Sequence, residues 1–173
     1  VLAVIGLNIL FNSSGKTKNR FGLGATGSDA NNGGNDIMDF TLDKKHEMAR
    51  SLFKEFAETE VKPLAQETDE TEAFPAETVK KMQKYGFMGI PVPKEYGGQG
   101  CDPLTYVMCV EELSKVCATT GVVVSAHTSL CIDPIMTYGT EEQKQKYVKP
   151  LATGEKLGAF ALTEPGAGTD AQG

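Results

Sequence analysis

Apolar residues recur at spacings of three and four from residue 41 onward, and the rhythm predicts five helices. Thr41 can cap the first, in which Met48, Leu52, Phe53, Phe56 and Ala57 share one face as far as about Ala65. Phe74-Pro75 opens a second helix with Pro75 in its first turn. Val79, Met82 and Tyr85 form its apolar stripe, and Gly86 stops it. Residues 89–100 are a turn-rich connector holding Pro91, Pro93, Gly97, Gly98 and Gly100. Pro103 opens a third helix carrying Leu104, Val107, Met108, Leu113 and Val116. Residues 121–138 are apolar on nearly every side, which predicts a fourth helix buried in the middle of a bundle and ended by Gly139. Thr140-Glu141-Glu142-Gln143 is a capping box that starts a fifth, polar helix through about Val148. Residues 157–162 are short, apolar and bounded by turn residues, and read as a buried strand. The expected fold is an all-α helical-bundle domain over 38–156, followed by the start of a β domain at 157–173.

Residues 1–37 have a different texture. Residues 1–11 are a short apolar run with neither a basic lead nor a small-residue cleavage site, so they do not read as a signal peptide. Residues 12–35 are rich in Gly, Ser, Asn and Asp, which points to a disordered or non-native extension. Met38 is the natural start of the folded chain. Gly22-Leu23-Gly24-Ala25-Thr26-Gly27 matches the dinucleotide-binding glycine pattern. That pattern needs a strand before it and a helix after it. Polar residues precede it here and helix breakers follow it, so no Rossmann loop is drawn.

Composition narrows the function further. The 173 residues carry 17 Lys+Arg against 23 Asp+Glu, a net charge of −6. Such a chain lacks the cationic term that binds nucleic acid or an anionic membrane surface. No apolar run approaches the roughly 20 residues that span a bilayer. Cys101, Cys109, Cys117 and Cys131 form no C-x-x-C pair, and His46 and His127 are not at ligand spacing from them, so no metal site is expected. Reduced, buried thiols in a cytoplasmic protein is the preferred reading of the four.

Chemistry concentrates in Thr163-Glu164-Pro165-Gly166-Ala167-Gly168-Thr169-Asp170. Such a loop exposes backbone N–H groups and can approach a phosphate or a ring closely. An ordinary surface turn uses the same residues. The residue types alone leave both open.

The longer stretch 161–173 resembles the first signature of the acyl-CoA dehydrogenases: a small residue, Leu, Ser/Thr, Glu, two free positions, a small residue, Gly, Ser/Thr, Asp, two free positions and a small residue. Ala161, Leu162, Thr163, Glu164, Ala167, Gly168, Thr169, Asp170 and Gly173 meet every specified position. Lys94-Glu95-Tyr96-Gly97-Gly98, Glu111-Glu112-Leu113-Ser114 and Gly139-Thr140-Glu141-Glu142-Gln143-Lys144 are similar to stretches at corresponding places in that family. Ser125-Ala126-His127-Thr128-Ser129-Leu130-Cys131 resembles its bacterial short-chain, butyryl-CoA branch. The resemblance covers 38–173 and leaves out 1–37.

The resemblance implies a helical domain, a middle β domain and a C-terminal helical domain, of which this chain holds the first and the opening of the second. It implies FAD as cofactor, with Phe160, Leu162, Thr163, Gly168 and Thr169 along the flavin and Thr169 also facing the CoA substrate. It implies oxidation of an acyl-CoA to the trans-2-enoyl-CoA, with a glutamate removing the α-proton and hydride passing to the flavin. An electron-transferring flavoprotein then takes the electrons, and the full-length protein is a homotetramer. The catalytic glutamate is expected beyond residue 173, so the fragment alone should be inactive; Glu164 is not assigned that role. Val123, Ala126, His127 and Leu130 could line the far end of an acyl pocket, with plain core packing the competing reading. His127 is read first as a hydrogen-bonded core or edge histidine. Two other functions stay open: an acyl-CoA dehydrogenase for branched or longer chains, and a helical docking module without chemistry.

Overall fold

The structure is a computed structural model that describes residues 41–172. The expected extension at 1–37, the Gly22 to Gly27 motif, the Met38 start and Gly173 lie outside the described residues.

The described residues form five helices. Helix α1 covers 44–71, α2 is Ala76–Lys84, α3 is Pro103–Ser114, α4 covers 118–138 and α5 covers 141–152. Asp43, not Thr41, caps α1, its carboxylate accepting from the His46 backbone N–H at 2.8 Å. The helix begins at Lys44, which leaves Asp43 at the position where a side chain can reach the first free amides. Asp102 caps α3 in the same way through Thr105. The His46 ring lies between the two capping carboxylates, 2.9 Å from each, and ties the starts of α1 and α3 together.

Three of the five helices are interrupted by a widened π turn: Ala57–Val61 in α1, Ala126–Ile132 in α4 and Lys144–Val148 in α5. Each stands just ahead of a proline at the second position of the α segment that follows, namely Pro63, Pro134 and Pro150. A proline inside a helix has no N–H to donate, and its ring collides with the carbonyl four residues earlier. The wider turn moves that carbonyl aside. The residue before each proline donates five positions back instead: Lys62 to Ala57, Asp133 to Thr128 and Lys149 to Lys144. Absorbing Pro63 in this way lets α1 continue past the expected Ala65 to Thr71.

Two cores hold the bundle. The larger gathers Phe53, Phe56, Met82, Phe87, Met88, Ile90, Met108, Leu113 and Val124. Phe87 stands edge-on to Phe53 at 5.3 Å and to Phe56 at 4.8 Å between ring centroids. The smaller joins Val92 and Tyr96 of the connector to Ile132 of α4 and to Val148, Leu151 and Ala152 of α5. Tyr96 also donates to the Glu141 carboxylate at 2.7 Å, which fixes the connector to the start of α5. The expected capping box is present there: Gln143 N–H bonds to Thr140 Oγ1 and Thr140 N–H to Gln143 Oε1.

Several expectations are corrected. Met48, Leu104 and Val107, placed on apolar stripes by spacing, are exposed. Phe74 is exposed too, and α2 starts at Ala76 with Pro75 in the cap position. Helix α4 begins at Ala118 and is not buried all round: Val122 is 61% exposed and Leu130 46%. Its apolar circumference exceeds what α3, α5 and the connector cover. The strand expected over 157–162 is not formed, and Leu157, Phe160 and Leu162 are exposed. A strand needs a partner for its backbone groups. Among the described residues the only bridge is the local one between Glu164 and Ala167. The described part is therefore helical, and the start of a β domain is not seen.

Candidate functional site

The signature residues lie on one tail that leaves the end of α5. Gly154, with φ of +77°, ends that helix, and Lys156 N–H bonds back to Pro150 O at 2.9 Å. The tail then crosses the π turn of α4. There Gly158 N–H donates to His127 Nδ1 at 2.9 Å. His127 is fully buried, and its Nε2 lies 3.2 Å from Leu151 O. Since Nδ1 accepts, Nε2 carries the proton and donates to Leu151. Burial holds the His127 pKa below its ordinary value, against the pull of the Leu151 and Met88 backbone groups. The ring is thus a neutral, hydrogen-bonded core histidine.

Beyond Gly158 the tail is open. Phe160 and Leu162 are 51% and 55% exposed. Thr163 and Thr169 are exposed as well. Glu164 and Ala167 exchange both backbone hydrogen bonds, at 3.0 and 3.1 Å, and so close a tight turn around Pro165-Gly166. A methyl group added at Gly166 or Gly168 would meet no atom within 4 Å. The five predicted site residues thus lie on one short, accessible strip with no walls of its own.

A flavin is a flat ring system with polar edges. Apolar side chains at 160 and 162, with exposed hydroxyls at 163 and 169, suit one side of such a ring. The strip fits the cofactor as one wall and not as a whole pocket.

Of the expected acyl-pocket candidates on α4, Val123 and Ala126 are half-buried and Leu130 is exposed, whereas His127 is turned into the protein. A shallow cleft of about 450 Å³ lies elsewhere, lined by Leu42, Glu47, Arg50, Ser51, Lys54, Glu112 and Lys115, and no signature residue borders it. All four cysteines are free thiols; Cys101 and Cys109 are buried, and burial raises Cys101 to about 12. Among the described residues no cluster of His, Cys, Asp and Glu is placed to hold a metal ion, and no helix is long and apolar enough to cross a membrane.

Gly158 is the site residue that sequence reasoning passed over. A lone glycine inside an apolar run signals close backbone approach, and that signal was present in Leu157-Gly158-Ala159.

The chain belongs to the acyl-CoA dehydrogenase family: residues 43–155 match the acyl-CoA dehydrogenase N-terminal domain. It is 65% identical over 133 residues to the short-chain specific acyl-CoA dehydrogenase of Clostridium acetobutylicum, covering 77% of this chain and 35% of that one. Its fold matches butyryl-CoA dehydrogenase from Megasphaera elsdenii with a TM-score of 0.73 at 41% identity, covering 79% of this chain and 36% of the other. A structure described as the electron transferring flavoprotein of Acidaminococcus fermentans holds a chain that matches with a TM-score of 0.75 at 50% identity, over 78% of this chain and 35% of that one. The chain spans about a third of the length of the relatives it matches.

Proposed function

We propose that this chain supplies the helical wall and one edge of the flavin site in an enzyme that oxidises a short-chain acyl-CoA, butyryl-CoA, to its 2-enoyl-CoA. The observation that carries the reading is the strip at 160–169, accessible and chemically suited to a flavin, on a helical body of the acyl-CoA dehydrogenase family. Enzymes of this family are FAD flavoproteins, and bound FAD would supply the hydride acceptor. Phe160 and Leu162 would cover part of the ring face and exclude water. The Thr163 hydroxyl and backbone N–H would be aimed where negative charge gathers on reduction, as donors act in an oxyanion hole. Gly168 would allow close approach, and Thr169 would face both cofactor and substrate.

The proton-abstracting base lies outside these residues in this reading. Glu164 is exposed, whereas a base for a weakly acidic α-proton needs a desolvated carboxylate. Electrons would pass to an electron-transferring flavoprotein, in line with the neighbour from Acidaminococcus. The working form would be a cytoplasmic homotetramer.

The test is direct. The full-length protein should purify with flavin absorbance that bleaches on addition of butyryl-CoA. A colourless protein that takes up no FAD would end the flavin reading. Bleaching only by longer or branched acyl-CoAs would replace the substrate and keep the class. Thr163→Val should weaken FAD binding or slow reduction by roughly a hundredfold, as loss of one such donor does; unchanged spectra and rates would remove the role given to Thr163.

A further inference from the structure

The geometry points to the π turn of α4 as a bracket that sets the path of the flavin strip, with His127 and Cys131 as positioning residues for Thr163 and its neighbours. The inference rests on the flavin reading of that strip and adds the parts that hold it in place.

Two side chains four apart on this one turn meet the tail at one point. His127 Nδ1 accepts from Gly158 N–H at 2.9 Å, and its other nitrogen is held by Leu151 O. Both ring nitrogens are therefore committed, and the ring cannot rotate without losing both bonds. Cys131 packs against the same residue: a Cβ at Gly158 would lie 2.4 Å from its Sγ and 2.9 Å from its Cβ. Only glycine seats there. The Ala159 backbone amide also faces the Cys131 thiol.

Past this point the described tail has backbone hydrogen bonds only within its own turn, between Glu164 and Ala167. Thr163 lies five residues beyond Gly158, at most about 17 Å of extended chain. The direction in which the strip leaves the body is consequently decided at the bracket. Residues four apart share one face of a helix, so both side chains stand on one side of this turn, which lies just ahead of Pro134. Leu130, on the same turn, points outward. The wall of α4 and the flavin strip are thereby joined through a single turn of helix.

The experiment compares His127→Leu, which removes the acceptor, with His127→Asn, whose Oδ1 takes the place of Nδ1. Amide hydrogen exchange read by NMR on this chain should show at least tenfold faster exchange at Gly158 in the Leu variant, with helix amides unchanged and the Asn variant near the parent. Unchanged exchange at Gly158 in His127→Leu overturns the bracket. If His127→Leu does not fold, Gly158→Ala serves, because it displaces the tail without altering α4. It should loosen Ala159 while the helices stay protected, and an unperturbed tail overturns the proposal. In the full-length protein, His127→Leu should retain FAD at least tenfold less well than His127→Asn; equal retention overturns the positioning role. A parent that binds no FAD would sink the flavin reading alone, and the exchange result would still judge the bracket.

Discussion

The Arg50 guanidinium of α1 holds the buried Glu112 carboxylate of α3 at 2.7 Å, across 62 positions of sequence. Its second arm reaches Glu111, and Lys115 closes the group at 2.8 Å from Glu112. Burial alone would raise the Glu112 pKa. Lys115 and Arg50 outweigh it and hold the carboxyl below its ordinary 4.5.

That direction gives stability a pH dependence. The folded carboxyl titrates lower than the unfolded one, so the native state gains from Glu112 above the unfolded value and loses the gain as pH falls through the folded one. Glu112→Gln removes the titration. Urea midpoints of the parent should drop between pH 5 and pH 3 by more than those of the variant. Parallel pH profiles would show that Glu112 contributes nothing to the acid limb.

Phe53 is fully buried, edge-on to Phe87. Truncation to Ala leaves a cavity among rings that cannot collapse onto it. The expected loss is about 3–5 kcal/mol, read as a shift in urea midpoint at constant slope. A loss under about 1 kcal/mol would mean that the core repacks around the gap.

Thr140→Ala removes the hydroxyl that accepts from Gln143 N–H at the start of α5. The cost should be about 1 kcal/mol. Thr140→Ser should restore most of it, which separates the cap from the packing of the methyl group.

Four of the five helices were legible in the sequence because they carried punctuation: Pro75 and Pro103 at starts, Gly86 and Gly139 at ends, and the Thr140 to Gln143 box; α1 was legible from its apolar spacing alone, and its cap and end were misplaced. Which faces they bury was less so. Periodicity says that Leu104 and Val107 share a stripe, but burial depends on what lies opposite, and nothing local encodes that. The segment 157–162 failed for the same reason. Its residues have strand character, and strand formation is decided by a partner. The signature strip was legible as a motif, while its anchor was not. His127 and Gly158 are 31 positions apart, and their bond follows from where α5 delivers the chain.

The widened turns have a consequence for chain length. Each holds about one residue more than a regular α-turn would, and that surplus makes room for a proline. Deletion of Thr59 should restore the regular spiral of α1 and drive the Pro63 ring against a carbonyl. Pro63→Ala alone leaves the surplus residue in place. Made together, the two edits should cost less than their separate costs summed, by at least 1 kcal/mol in thermal or urea unfolding. Insertion and deletion are ordinarily confined to loops, because one residue lost from a helix turns everything downstream by about 100°. In this bundle a residue and a proline form an exchangeable pair, so helices can change length inside the core while their far ends keep the same orientation.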